Sequence, residues 1–224
     1  MPDTPRPRDR RRRLAALPLA ACIAALASLA SVGCVGHRLY NDEPHEYLRT
    51  LEVAPAEGAG AAGDIPPADL AVVEFDEHGI LWSREQLDGA IELIRRRADE
   101  AERGVLVVVF VHGWQNNADP ERTEGSFVEF RRTLRETARR QHEAPGRTAD
   151  RVVGVYLGWR GDTSDVPLHD TLTFLNRRDA AERVASLQMV EATYRILQAA
   201  DQPGSKRFLL GHSLGGMVVG RTVA

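Results

Sequence analysis

Two kinds of hydrophobic pattern alternate along the last two thirds of the chain. Some short runs are apolar at nearly every position, as is typical of strands that are covered on both faces in a parallel sheet. Such runs occupy residues 70–75, Val105–Val111, 152–157 and 207–210. Between them, apolar residues recur at helical spacing, which predicts helices over residues 83–104, 127–142 and 180–200 and from residue 216 onwards. Strands that alternate with helices predict an α/β fold with a parallel sheet, placed over residues 70–224.

The segment before this domain has a different character. Residues 34–69 show no hydrophobic period and become rich in Ala, Gly and Pro, so we expect a tether. Residues 58–63 match the G-x-G-x-x-G pattern of dinucleotide sites, but Pro66 and Pro67 stand where the required helix would begin. We therefore expect no dinucleotide site there. A second short strand is expected at residues 80–82, after turn residues 76–79.

The first 33 residues have the layout of an export signal. A block of arginines is followed by an uncharged, Ala-rich stretch over residues 14–36. Ser31-Val32-Gly33-Cys34 resembles the lipobox of bacterial lipoproteins, which makes Cys34 the expected lipidated residue, and a match that ends at Cys22 is the alternative. An uncleaved membrane anchor and a simple cleaved signal also fit this stretch. All of these interpretations place the folded part outside the cytoplasm, in the cell envelope.

Composition narrows the classes of function. The chain has 224 residues, 43% apolar and 27% charged, which is a globular composition. Its formal net charge of −3 argues against a nucleic-acid partner. Both cysteines lie within the first 34 residues, so the folded part has no thiol for a disulfide, a zinc site or a nucleophile. We see no metal-ligand spacing, and no cofactor is implied.

The first motif that carries chemistry is Gly211-His212-Ser213-Leu214-Gly215. It follows a predicted strand and precedes a predicted helix, which is the context of a nucleophile elbow. Ser213 would sit on a turn too sharp for side chains at the flanking glycines, with its hydroxyl projecting above the sheet. His212 is expected to be a packing residue of the elbow.

The second motif is His112-Gly113-Trp114, at the end of the predicted strand Val105–Val111. Acyl transfer creates an oxyanion that two backbone N–H groups must meet. The N–H of Leu214, directly after the nucleophile, and the N–H of Trp114 are the expected donors. Gly113 would let the loop approach the site, and His112 would support the loop without acting as the base.

With these two motifs the sequence resembles the α/β-hydrolase superfamily, in its lipase and esterase branch. It is most similar to bacterial envelope hydrolases with an H-G-[aromatic]-x-N loop, here residues 112–117. The resemblance implies a serine hydrolase that acts on a carboxylic ester or thioester, with a small molecule or a lipid as substrate. A non-catalytic envelope scaffold or binding protein with the same fold is the alternative.

The same resemblance implies an acid and then a histidine after the nucleophile, yet only 11 residues follow Ser213. We therefore expect a fold that is truncated after the elbow and inactive by itself. No pattern in the sequence supports an upstream histidine, such as His169, as the base.

The other histidines, at positions 37, 45, 78 and 142, are expected at the surface. Residues 159–162 either line the substrate site or form an ordinary loop, and residues 168–175 form either a lid or a crossover helix.

Overall fold

The computed structural model describes residues 38–55, 65–144, 146, 149–161 and 170–224, with the backbone alone over residues 170–175. The helices are α1 Pro44–Tyr47, α2 Arg84–Glu100, α3 Ser126–Glu143, α4 Asp170–Val184, α5 Leu187–Gln198 and α6 Leu214–Thr222. The strands are β1 Leu48–Leu51, β2 Ala68–Glu74, β3 Val105–Val111, β4 Arg151–Gly158 and β5 Lys206–Gly211.

The five strands form one sheet in the order β1-β2-β4-β3-β5. Strand β1 runs antiparallel to β2, whereas all the other neighbouring pairs are parallel. The carboxyl ends of β2 to β5 therefore lie along one edge of the sheet, where open α/β sheets carry their ligands. Strand β5 is the last in this order, and Phe208 and Leu210 on it are about half exposed, at 50% and 47%.

Both faces of the sheet are buried along β2, β3 and β4, and each has its own core. Along β3, Val107 and Val109 face a core that is completed by α2, α4, α5 and α6, whereas Leu106 and Val108 face a smaller core against α3. This two-sided burial explains why the strand is apolar at every position. The predicted α/β fold with a mostly parallel sheet is thereby confirmed.

Two predicted elements differ in detail. Residues 80–82 form no strand, only a single bridge between Phe75 and Leu81. The helix predicted over residues 180–200 is two helices, α4 and α5, which separate at residues 185–186. Ser186 is held there by tertiary contact, because its hydroxyl donates to the carbonyl oxygen of Gly79 at 2.7 Å.

The expected tether is partly an ordered segment of the domain. Helix α1 and strand β1 lie within residues 34–69, and β1 pairs with β2 from Leu48 opposite Ala71 to Leu51 opposite Ala68. Just before them, the Glu74 carboxylate at the end of β2 accepts hydrogen bonds from the backbone N–H of Tyr40, at 3.1 Å, and of Asn41, at 2.9 Å. A linker interpretation is therefore wrong for this part of the segment.

Several predictions fall outside the described residues. These are the export signal with Cys22 and Cys34, the glycine pattern at 58–63, His37, residue 162 of the loop 159–162, and residues 168–169 of the lid or crossover, with His169. Residues 170–175 of the lid or crossover form the start of α4. In the part of the chain that is described, no helix is both long enough and apolar enough to cross a bilayer.

Candidate active site

Ser213 stands at a sharp turn between β5 and α6. Its backbone has φ 55° and ψ −123°, a conformation that residues other than glycine rarely adopt. The strain of this conformation costs about 1–3 kcal/mol. The turn is closed by the N–H of Gly215, which donates to the His212 carbonyl at 2.9 Å, and by the N–H of Gly216, which donates to the Ser213 carbonyl at 2.9 Å. Ser213 itself is exposed at the sheet edge, as a nucleophile elbow requires.

The glycines of the elbow mark places where the chain leaves no room for a side chain. A Cβ on Gly211 would lie 2.6 Å from the carbonyl carbon of Gly215. A Cβ on Gly215 would lie 2.5 Å from the His112 carbonyl oxygen. The second of these contacts shows that the elbow also presses against the end of β3.

The structure brings the two sequence motifs together at Gly113. A Cβ on this residue would lie 2.5 Å from the His212 carbonyl oxygen, 2.8 Å from Ser213 Cβ and 3.3 Å from the Leu214 nitrogen. The His212 N–H also donates to the Val111 carbonyl at 3.1 Å. The loop after β3 therefore lies directly against the candidate nucleophile and its neighbour, and only glycine fits there.

The backbone N–H of Leu214 lies in the first turn of α6. The first four N–H groups of a helix have no carbonyl partner within it, and the helix dipole adds partial positive charge at this end. An anion that forms beside Ser213 would meet this end of the helix.

His112 is buried and holds the loop through both ring nitrogens. Nε2 accepts a hydrogen bond from the Trp159 backbone N–H at 2.9 Å, so Nδ1 carries the proton and donates to the Gly113 carbonyl at 2.9 Å. The Trp159 indole N–H in turn donates to the His112 carbonyl at 2.8 Å. Burial lowers the pKa of His112 to about 4. This neutral, fully bonded imidazole has no nitrogen available to act as a base.

The hydrogen bond from His112 also orients the next peptide group. In a trans peptide the C=O and N–H point in opposite directions. Because the Gly113 carbonyl points to His112, the Trp114 N–H points away from that ring. Asn116 fixes the far side of Trp114, since its amide donates to the Trp114 carbonyl at 2.8 Å and its carbonyl oxygen accepts the Ser126 N–H, at the start of α3, at 2.6 Å.

Gly161, just beyond β4, is a second clamp on this loop. Its carbonyl accepts the Gln115 N–H at 2.8 Å, and its N–H donates to the Asn116 carbonyl at 3.0 Å. A Cβ on Gly161 would press on the Gly113 carbonyl oxygen and lie 2.7 Å from that of Asn116. Gln115 itself has φ 60°, and with Ser213 it is one of two non-glycine residues with positive φ among those described.

Sequence reasoning left residues 159–162 undecided between a substrate lining and an ordinary loop. In the structure, Trp159 and Gly161 instead form hydrogen bonds with the loop after β3 and support it. The sequence did show a tryptophan and a glycine just after the strand that became β4. Their contacts with the loop after β3 could not be predicted, because they depend on β4 lying next to β3 in the sheet.

The last predicted site residue to be located is His212. His212 is exposed rather than packed, and with Phe110, Phe130 and Leu210 it borders an apolar groove between α3 and β5. None of the described residues forms a hydrogen bond with the Ser213 hydroxyl. Over the same residues, no cluster of three or more His, Cys, Asp or Glu side chains has the arrangement of a metal site.

Comparison with known proteins agrees with this geometry. The family model described as alpha/beta hydrolase matches residues 97–224, a span that includes both motifs. Searches of curated proteins and of solved structures gave no significant match. The family model covers more than half of the chain, from the last turn of α2 through the elbow to α6. This chain therefore belongs to the α/β-hydrolase family, and a hydrolase-type activity follows from that membership.

Proposed function

We propose that the protein is a serine hydrolase that cleaves carboxylic esters or thioesters through an acyl-enzyme intermediate on Ser213. The observation that carries this proposal is the contact between the two motifs. Gly113 lies against Ser213 and Leu214, at distances that exclude even a methyl group. A strained, exposed serine, the first turn of a helix and the loop after β3 converge at this point.

In the proposed reaction the Ser213 oxygen attacks the acyl carbon, and its proton passes to a general base. The carbonyl π electrons move onto oxygen, and the N–H groups of Leu214 and Trp114 donate hydrogen bonds to the oxyanion. The alcohol or thiol then leaves with a proton, and water releases the acid from Ser213 by the reverse sequence. One such N–H donor contributes about 3–4 kcal/mol to lowering the barrier. The steps require no cofactor.

The general base is not among the described residues. His112 is neutral and bonded at both nitrogens, and none of the other described histidines, at positions 45, 78, 142 and 212, forms a hydrogen bond with the Ser213 hydroxyl. We therefore assign proton removal to a histidine outside the described residues, oriented by an acid. Without that base the hydroxyl is a weak nucleophile.

A fluorophosphonate probe tests the nucleophile directly, because it forms a stable bond to an activated serine. Prolonged incubation should add one probe to the chain, and peptide mapping by mass spectrometry should place it on Ser213. Ser213→Ala should abolish the adduct. Ser126→Ala is the matched control, since Ser126 also borders the groove beside the elbow, and it should leave labelling unchanged.

Two results would contradict the proposal. Equal labelling of the Ser213→Ala variant would show that another residue reacts. A complete absence of labelling of a folded chain, even at high probe concentration, would favour the alternative of a scaffold that keeps the fold without turnover.

We further propose that the protein is exported and joined to the membrane through Cys34. The supporting pattern is a basic block, an uncharged stretch and Val32-Gly33-Cys34, in that order. Cys34→Ala should abolish incorporation of a labelled fatty acid into the mature protein. Loss of labelling in Cys22→Ala instead would move the site to Cys22. A lipid ester close to the bilayer is the substrate class that such a location favours.

A further inference from the structure

Three apolar side chains form an exposed patch beside the turn that follows β2. Ile80, Trp82 and Leu187 are 46%, 41% and 82% exposed, and we call them the Trp82 patch. Large apolar side chains that are grouped at the surface mark an interaction site more often than single ones do.

The patch is held together by hydrogen bonds between its two elements. The Leu81 N–H donates to the side-chain oxygen of Gln188 at 2.8 Å, and the Ser186 hydroxyl donates to the Gly79 carbonyl at 2.7 Å. These bonds alternate along the chain with the patch residues, so the turn and the start of α5 lie side by side.

The Trp82 patch lies at the same edge of the sheet as Ser213. The Trp82 N–H donates to the carbonyl of Glu74, the last residue of β2, at 3.0 Å. Strand β2 is three strand positions from β5, which corresponds to about 14 Å at the usual spacing of strands.

The start of the described chain is fixed beside this patch. The buried Glu74 carboxylate holds the N–H groups of Tyr40 and Asn41 at 3.1 and 2.9 Å. Arg38, Tyr40 and Trp82 line the same pocket, and the Arg38 guanidinium lies 4.9 Å from the centre of the Tyr40 ring. Residues 38–41 therefore leave the fold next to Trp82.

The length of chain between this point and the proposed anchor is short. Cys34 is four residues before Arg38, and four extended residues span at most about 14 Å. A membrane anchor that ends at Gly36 would lie closer still. With lipidation at Cys34 or with an uncleaved anchor, the bilayer begins within about 14 Å of Arg38, which lines the same pocket as Trp82.

We infer that the Trp82 patch rests on the surface of the lipid bilayer to which the N-terminal stretch attaches the protein. Tryptophan favours the boundary between headgroups and acyl chains, and the aliphatic side chains of Ile80 and Leu187 enter the same layer. The inference rests on the proposed membrane attachment. It adds an orientation, in which the edge that carries Ser213 faces the bilayer.

Quenching of tryptophan fluorescence by brominated lipids tests this orientation. The full chain, produced with its N-terminal modification, is placed in vesicles of phosphatidylethanolamine and phosphatidylglycerol. Brominated lipid should remove up to about a third of the emission, because Trp82 is one of three tryptophans. Trp82→Tyr should abolish this quenching, and the double variant Ile80→Asp with Leu187→Asp should do the same without loss of vesicle flotation.

A position control uses Val223, which is 66% exposed at the far end of α6. In the Trp82→Tyr background, Val223→Trp should show no quenching. Quenching of that variant, or flotation of the wild-type chain without quenching, would overturn the inference. A stable dimer in detergent with a buried Trp82 would also overturn it, in favour of a second copy on the patch.

Failure of the chain to float with vesicles would refute the membrane attachment and the orientation together. It would leave the labelling of Ser213 untouched, so the two proposals can fail separately.

Discussion

Acidification should destabilise the protein through His112. In the unfolded chain this histidine has an ordinary pKa of 6.5, whereas burial in the folded protein lowers it to about 4. At pH values between these two pKa values, His112 binds a proton in the unfolded chain but not in the folded protein. The contribution of His112 to stability is therefore fully present above about pH 6.5 and declines as the pH falls.

The size of the effect follows from the two pKa values. The free energy of unfolding should fall by about 1 kcal/mol at about pH 5.5 and by about 2–3 kcal/mol at about pH 4.5. A proton on Nε2 would also remove the acceptor for the Trp159 N–H, which now lies 2.9 Å away. The loop that carries Gly113 and Trp114 would lose its main support at the same time.

Urea unfolding at about pH 7.5, 5.5 and 4.5 measures this dependence. The comparison is with His112→Gln, because glutamine keeps one donor and one acceptor but does not gain a proton. The variant should be less stable at neutral pH by about 1–3 kcal/mol, since its hydrogen bonds are poorer. Its loss of stability on acidification should be smaller than that of the wild type by about 2 kcal/mol. Parallel pH curves for the two proteins would refute the reasoning.

Three further changes test the loop and the N-terminal segment. Trp114→Phe keeps the backbone N–H and should leave the rate of probe labelling within about tenfold of the wild-type rate. Trp114→Pro removes this N–H and should lower the rate about a hundredfold. Similar losses in both variants would show that the indole, rather than the N–H, is needed. Gly161→Ala should displace the loop and lower the rate of probe labelling by about ten- to a hundredfold. The control Gly220→Ala should leave the rate unchanged, because a Cβ at Gly220 meets nothing within 4 Å. Equal rates for the two variants would show that the Gly161 clamp is unnecessary. Glu74→Ala removes the acceptor of two backbone N–H groups, and hydrogen exchange at Asn41 should accelerate about tenfold or more; unchanged protection would show that other contacts hold the segment.

Strands β2 to β5 and the two motifs could be predicted because their signals are local. Val105–Val111 is apolar at every position, and burial on both faces is the reason. Gly211 to Gly215 needs only its own turn geometry and its position between a strand and a helix. The fold class followed from these segments alone.

The supports of the site could not be predicted, because they depend on strand order. Gly161 meets Gly113 only because β4 lies next to β3 in the sheet. Strand β1 has four residues and a weak pattern, and its pairing with β2 stabilises it. The break between α4 and α5 depends on Ser186 contacting Gly79, and no local pattern contains that contact.

The course of the chain before β2 determines how the domain would bear a mechanical load. Residues 38–41 leave the fold at the edge of the sheet where Glu74 lies, and β1 then runs from that edge towards the opposite one, from Leu48 beside Ala71 to Leu51 beside Ala68. A pull from a membrane tether would first stretch the hydrogen bonds to Glu74. It would then act along the axis of β1. Hydrogen bonds of an antiparallel pair lie across that axis, so the whole β1–β2 ladder would resist in shear rather than open one bond at a time.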